Sequence, residues 1–420
     1  MKTFPLLALM LSAGACFAAS IHSDFEGGST GRVEQLSDRH VRVGVEGESD
    51  QDKRNRQGTW YFFRVDEAPR AEITIDMVDL AGEYNYKPNR GAITKATPPL
   101  ISYDRKTWTH ITDLDYDPEE PKLRLRIVPR ASRFWIAHTP PYTSEDLEAL
   151  RVDVKRHPDA REQVIGKTVE GRDLYLWTIS SASSPGVNKK TVWLMFRQHS
   201  WESGSSWVGE GLVRALLESG ETARDLRNGI VWKIYPLCDP DGVARGGVRF
   251  NSNGYDLNRN WDVENRRLMP EIYAQRKAIA EWIGSGRTVD LFFTLHNTET
   301  SEYLEGPPDG ASTPAVRNLA ERFFAVLKER TTFDPTRPLF YSGETTTPGK
   351  KGRMTVIQGL YKDLRIPGFL MEQGVAQNDK LGGLPNIDDR LKFGRQLAGA
   401  LAAAVLSDQK LAAAVFTDPK

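Results

Sequence analysis

Three short stretches of this 420-residue chain carry side chains that can bind a metal and move a proton. His199 and Glu202 lie in Arg197-Gln-His-Ser-Trp-Glu202, directly after the apolar run Thr191–Phe196. His296 follows a second apolar run, Val289–Leu295, and Glu372 follows a third, Gly368–Met371. Two imidazoles and one carboxylate suit a catalytic zinc ion, which takes three protein ligands and leaves one position for water. His199, Glu202 and His296 are therefore the expected ligands of a single Zn2+ ion. Such an ion makes water acidic enough to react near neutral pH. A further carboxylate must take the proton from that water, and Glu372 is the candidate general base.

Each piece has a plainer alternative. A His-x-x-Glu pair is often a hydrogen-bonded strand edge, and an acid after an apolar strand can cap a helix. The chemical reading is favoured because all the pieces fall where apolar runs end, which is where open α/β sheets place their sites. The chain has seven histidines, and His199 and His296 are the last two. His22, His40, His110, His138 and His157 lie in or near the N-terminal region and read as surface or structural residues. Between the two halves of the site come Asp239-Pro-Asp-Gly242, a turn signal, then Arg249 and Asp256-Leu-Asn-Arg-Asn-Trp261. Asn258 and Arg259 offer a fork of donors suited to a carboxylate. Arg249 offers another, suited to a polarised carbonyl oxygen. The alternative for all three is a surface salt bridge to a nearby aspartate.

These residues need elements to hold them. From about residue 145 apolar runs of strand length alternate with helical stretches: a helix over Gly209–Leu217, a strand over Gly229–Tyr235, a helix over Pro270–Ile283, and an Ala-rich closing helix over Arg390–Leu406. That alternation predicts an α/β fold, a mixed sheet with helices on both faces. Residues 20–140 have a different texture. Arg39–Val45, Ala71–Val78 and Lys122–Val128 alternate apolar and polar side chains, which predicts an all-β antiparallel sandwich domain. Asp50–Gln57 is charged and polar and reads as a loop. The expected boundary is Pro140-Pro-Tyr142, with Thr143-Ser-Glu-Asp146 capping the first helix of a catalytic domain over residues 141–420.

Residues 1–19 form a third region: Lys2, then the apolar Leu6–Leu11, then small residues ending in Ala18-Ala19. This reads as a secretory signal peptide cut after Ala18 or Ala19, and it predicts a secreted or periplasmic protein. A lipoprotein signal at Cys16 fits less well, because Ala13 stands where a leucine is wanted. Removing the signal leaves Cys238 as the sole cysteine, so no internal disulfide is expected. No later apolar run is long enough to span a membrane, so stable membrane insertion after cleavage is not expected. Lys+Arg and Asp+Glu both number 56, and this balance argues against a nucleic-acid partner. No pattern in the chain speaks to oligomeric state.

Taken together, these motifs resemble the zinc metallocarboxypeptidases of the carboxypeptidase A superfamily. The resemblance runs over most of residues 145–405: Ile165–Arg172, His199-x-x-Glu202, Asp239-Pro-Asp-Gly242, Asp256–Trp261, His296 and Glu372, in the family's order. The β region and the junction Pro140–Leu147 are similar to the cytosolic carboxypeptidase subfamily. The resemblance implies a zinc carboxypeptidase acting on peptide or protein C-termini. In it His199, Glu202 and His296 bind zinc, Glu372 activates water and protonates the leaving amine, Arg249 holds the oxyanion, and Asn258 and Arg259 grip the terminal carboxylate. Arg353 resembles an arginine that the subfamily uses for acidic side chains, which implies acidic C-terminal residues as substrates. Three features depart from the pattern: Asp239 stands where Asn is usual, Asn297-Thr-Glu299 follows His296, and the active-site tyrosine has two candidates, Tyr341 and Tyr361. Rival readings are an N-acyl amino-acid deacylase, a hydrolase of cell-wall stem peptides, and a secreted, inactive peptidase-like binding protein.

Overall fold

The computed structural model describes residues 18–84, 87–182, 189–308, 313–341, 343 and 350–406. The expected signal peptide, Cys16 included, lies outside the described residues except for Ala18 and Ala19.

The N-terminal part is a sandwich of two five-stranded sheets. One runs in the order Ser20–His22, Phe62–Asp66, Phe134–Ala137, Leu100–Ser102, Thr109–His110. The other runs Leu114–Asp117, Lys122–Ile127, Ile73–Val78, His40–Gly44, Val33–Ser37. All neighbours in both sheets are antiparallel except His40–Gly44 and Ile73–Val78, which pair in parallel. The alternation seen in Lys122–Ile127 is the period of a half-buried strand, with Leu123, Leu125 and Ile127 turned into the core. The segment Trp60–Val65 does not alternate, because both of its faces are covered. Tyr61, Phe63 and Val65 fill the sandwich core. Trp60 and Phe62 pack on the other side against Trp201 and Val248 of the α/β part. Trp201 precedes the expected ligand Glu202, and Val248 precedes Arg249, so this apolar contact lies beside the site.

The α/β part is built on one eight-stranded mixed sheet in the order Ala160–Lys167, Asp173–Ile179, Ile230–Tyr235, Lys190–Phe196, Leu291–Thr298, Gly368–Gly374, Tyr303–Gly306, Phe340–Tyr341. The central strands Ile230–Tyr235, Lys190–Phe196, Leu291–Thr298 and Gly368–Gly374 are parallel. Side chains along Lys190–Phe196 divide between two cores. Val192, Leu194 and Phe196 pack with helices Ser203–Leu217, Pro314–Arg330 and Ile387–Leu406. Trp193 and Met195 pack on the opposite face with helices Pro270–Gly284 and Val356–Leu364. Burial on both faces explains why these strands read as continuous apolar runs.

Three elements differ from the sequence reading. Asp239-Pro-Asp-Gly242 opens a short helix, Pro240–Arg245, instead of a turn. Pro240 needs no amide partner at the first helical position, and Asp239 Oδ1 accepts from Gly242 N at 2.9 Å. The strands carrying His296 and Glu372 run on to Thr298 and Gly374, because their backbones stay paired after the apolar residues end. Asp50–Gln57 is the outer part of a small hairpin in which Glu48–Ser49 pairs with Arg56–Gln57. The helix opening at Thr143 has the expected capping box, with Asp146 as the reciprocal partner.

Candidate metal centre and substrate cleft

His199 and Glu202 are placed by the turn that follows strand Lys190–Phe196. Arg197 turns the chain with a φ of 59°, a conformation unfavourable for a residue with a Cβ. Its fully buried guanidinium holds the turn closed, donating to Ser200 O from Nε at 2.9 Å and from Nη2 at 2.6 Å. Glu202 then stands at the N-cap of helix Ser203–Leu217. His296 comes from the neighbouring parallel strand, and Glu372 from the strand after that, in direct register with His296.

The three expected ligands converge. His199 Nδ1 lies 3.3 Å from His296 Nδ1 and 2.6 Å from Glu202 Oε1. Glu202 Oε2 lies 2.9 Å from His296 Nδ1. That oxygen is buried without a hydrogen-bond partner, although an imidazole nitrogen is in reach. Two ligands held tetrahedrally on zinc at ~2.0–2.1 Å must be ~3.3–3.4 Å apart. The spacing of the two Nδ1 atoms fits a single zinc ion, and the Glu202 oxygens, at 2.6 and 2.9 Å from those nitrogens, need move out by only ~0.4–0.7 Å to complete the set. The far nitrogens of both rings are engaged. His199 Nε2 contacts Asp256 Oδ1 at 3.1 Å, and His296 Nε2 contacts Gln198 Oε1 at 3.0 Å and Thr294 Oγ1 at 3.2 Å. Such partners orient a metal-binding imidazole and raise its basicity.

Around this centre the charges are arranged with opposite effects. Burial alone would raise the Asp256 carboxyl, but Arg249 and His199 hold it well below the usual carboxylate range. Glu372 goes the other way. Burial, then the negative charge of Glu202, push it well above the ordinary value, and its Oε2 is buried with no hydrogen-bond partner. Arg249 Nε donates to Asp256 Oδ2 at 2.8 Å, so one carboxylate joins the ligand His199 to the arginine beside it. Asn258 is fixed by its Oδ1, which accepts from Val356 N at 3.0 Å, and this leaves its NH2 as the side chain's donor. Arg249, Arg259 and Arg353 line one cleft, together with Lys350, Lys351 and residues of the 48–57 hairpin. The backbone at Arg353 is held by Asp262, which accepts from Gly352 N at 2.9 Å and from Met354 N at 3.3 Å.

The departures from pattern also find places. Asn297 ties strand to helix: its Oδ1 accepts from Ser205 N at 2.9 Å and its Nδ2 donates to Gln373 O at 3.2 Å. Tyr361 is buried in helix Val356–Leu364, and Tyr341 lies on the outermost strand with Arg317 over its ring. The tyrosine paired across from Glu372 is Tyr303, in the antiparallel strand Tyr303–Gly306. Sequence reasoning missed it, because no motif marks a residue brought there by strand register alone. Gln198 and Asp256 were missed as partners for the same reason, though both sit inside motifs already singled out.

A donor set of this kind on this fold is that of a zinc carboxypeptidase domain, and residues 147–322 match the zinc carboxypeptidase family. The chain's layout is the two-domain one, since residues 21–138 match the cytosolic carboxypeptidase N-terminal domain. An uncharacterized protein of Zymomonas mobilis is 27% identical over 377 residues, 87% of this chain and 90% of that protein. Cytosolic carboxypeptidase 6 of Mus musculus is 27% identical over 66% of this chain, and the match spans only 52% of its own length. The fold is shared with a metallo-carboxypeptidase from Burkholderia cenocepacia, with a TM-score of 0.79 and 24% identity over 93% of this chain and all of that one.

Proposed function

We propose that this chain is a zinc-dependent carboxypeptidase that releases residues, acidic ones among them, from the C-termini of peptides or proteins outside the cytoplasm. The observation that carries this reading is the convergence, at adjacent strand ends, of the His199–Glu202–His296 donor set and the Glu372 carboxyl, whose Oε2 is buried without a hydrogen-bond partner, with Arg249 joined to His199 through Asp256. Bound zinc would supply a polarised carbonyl and a more acidic water. The rest falls to the chain's own side chains. Glu372 takes the proton of the attacking water and delivers it to the leaving nitrogen as the C–N bond breaks. Arg249, oriented by Asp256, donates to the oxyanion. Asn258 and Arg259 bind the terminal carboxylate, which selects a free C-terminus over an internal bond. Arg353, with Lys350 and Lys351 on the same cleft wall, supplies positive charge for an acidic side chain.

Export rests on the pattern of residues 1–19. Ala19 is buried in the sandwich core ahead of strand Ser20–His22, which favours the cut after Ala18. N-terminal sequencing of protein recovered from the periplasm of a Gram-negative host should begin at Ala19. Uncut protein confined to the cytoplasm would overturn this part.

The test of the activity uses purified mature protein. Zinc content is measured alongside residue release from peptides ending in Glu, Lys or Leu, before and after chelation. Chelator-sensitive release, restored by zinc and strongest for Glu, is expected. Zinc with no release from any peptide would move the reading to N-acyl deacylation or cell-wall stem peptides. A protein that takes up no zinc would point to a binding role.

A further inference from the structure

The backbone that presents Arg249 to the cleft is held from the other domain. Segment 248–256 is a tight loop whose two feet, Phe250 and Asp256, form an antiparallel bridge. Arg249 stands at one foot, and Asp256 is the other. Three successive amides at the first foot point the same way, and nothing within the loop accepts them. They converge on one oxygen of Glu48: Oε2 accepts from Val248 N at 2.9 Å, Arg249 N at 2.6 Å and Phe250 N at 2.9 Å. Oε1 of the same carboxylate accepts from Arg245 Nη2 at 2.6 Å. Arg245 in turn donates to Phe250 O, and from Nη1 to Ser252 Oγ at 3.2 Å. Glu48 lies 201 residues before Arg249, in the sandwich domain.

The hairpin that carries Glu48 is itself fixed. Arg56 binds Glu46 O at 2.9 Å, Val45 O at 2.5 Å and Ala81 O at 2.9 Å. Its outer part reaches the tip of the same loop, where Gln51 N donates to Gly254 O at 3.0 Å. Gly254 has a φ of +81°, and a Cβ there would lie 2.7 Å from Gln51 N, so the close approach requires glycine. Beside these polar clamps lies the apolar contact of Trp60 and Phe62 with Val248.

We infer that Glu48 is a positioning residue for Arg249, so that the active site is complete only with the N-terminal sandwich in place. Without this carboxylate, three convergent backbone donors lose their acceptor, and the Arg245 guanidinium keeps only Phe250 O and Ser252 Oγ. Buried polar groups left unpaired are costly enough to rearrange a loop. Asp256 would still hold Arg249 by its Nε, but the main chain that sets the guanidinium's depth would be released. A shift of ~1 Å in such a group can cost ~100-fold in rate. The inference rests on the carboxypeptidase reading above for its kinetic consequence, but not for its structural one.

The experiment uses the full mature chain loaded with zinc, as parent, Glu48→Ala, Glu48→Gln, Arg249→Ala and the Glu48→Ala/Arg249→Ala double variant. Glu48→Ala is expected to lower kcat on a C-terminal peptide by ~10–100-fold. KM and zinc content should stay close to the parent's. Glu48→Gln, which keeps the shape and one acceptor oxygen, should recover part of the loss, and it serves as the test variant should Glu48→Ala not fold. In the Arg249→Ala background the Glu48 substitution should cost little more, because both act through one group. Hydrogen exchange at the amides of Val248, Arg249 and Phe250 should quicken by ~10-fold or more in Glu48→Ala, while the strand Leu291–Thr298 keeps its protection. Unchanged kcat with zinc intact, full additivity with Arg249→Ala, or unchanged exchange at these amides would each overturn the inference. Should the parent release no C-terminal residue, the proposed activity fails. The exchange result then decides the Glu48 question alone, faster exchange supporting it and unchanged exchange overturning it.

Discussion

His199 Nε2 lies 3.1 Å from Asp256 Oδ1, and this contact decides which side of the imidazole faces the metal site. With Nε2 donating to an ionised carboxylate, Nδ1 keeps its lone pair and points toward Glu202 and His296. The other oxygen of Asp256 takes Arg249 Nε at 2.8 Å. Asp256→Ala should therefore damage two things at once. Zinc affinity should fall ~10–100-fold, the usual cost of losing an outer partner of a metal-binding histidine. At saturating zinc, kcat should still be reduced, because Arg249 has lost its anchor. Competition with a chromogenic chelator measures the first effect and steady-state kinetics the second. Unchanged zinc affinity would remove Asp256 from the metal site.

Glu372 is the acid whose surroundings favour proton uptake. Burial and the neighbouring Glu202 raise its carboxyl, while Glu202, which burial alone would also raise, is held down by the two histidines. Two nearby carboxyls pushed in opposite directions are suited to different roles. Glu372→Gln should keep zinc and lower kcat by ~100–10,000-fold, the range of a general base. Loss of zinc in this variant would show that Glu372 supports the metal site instead. Turnover near the parent's would remove it from the chemistry.

Arg259 should act on binding more than on rate. Its Nη1 is tied to the carbonyl of its neighbour Asn258 at 2.8 Å, which holds the side chain along the cleft wall. A charged hydrogen bond to a carboxylate is worth ~1.5–3 kcal/mol. Arg259→Ala should then raise KM by ~10–100-fold with a smaller change in kcat. The parent should discriminate strongly between a peptide with a free C-terminus and its C-terminal amide, and Arg259→Ala should lose most of that discrimination. Equal selectivity in the two proteins would place carboxylate recognition elsewhere.

The candidate site was more legible in the sequence than the support around it. His199, Glu202, His296 and Glu372 could be found because each follows a run of residues buried on both faces of a sheet, and such runs are visible as continuous apolar stretches. Tyr303 and Gln198 leave no such trace, since register and a side chain crossing to a neighbouring strand place them. Glu48 was hidden for a third reason. Its partners are backbone amides, which every residue has, so no sequence pattern can name them. The same limit applies to Trp60–Phe63, whose unbroken aromatic run reports two covered faces without saying that one of them belongs to another domain.

Asp239, where the family resemblance sets an asparagine, offers a test at the level of stability. Its Oδ1 caps helix Pro240–Arg245, but its Oδ2 is buried with no hydrogen-bond partner. Burial raises its pKa to about 8, against the opposing pull of Arg245 and the Gly242 amide. A carboxyl whose folded pKa is raised favours the fold below its unfolded value, where it is protonated in both states. That contribution is lost as pH climbs toward and through the folded value. Over the window from about 4 to about 8, stability should fall by at most ~1.4 kcal/mol per pH unit from this group. Asp239→Asn keeps the cap and carries no charge to bury. The variant should match the parent near pH 4 and become progressively more stable than it up to about pH 8, with its zinc content unchanged. Urea unfolding of both proteins at several pH values measures the difference, and two curves that stay parallel from pH 4 to 9 would mean that Asp239 ionises in the fold without cost.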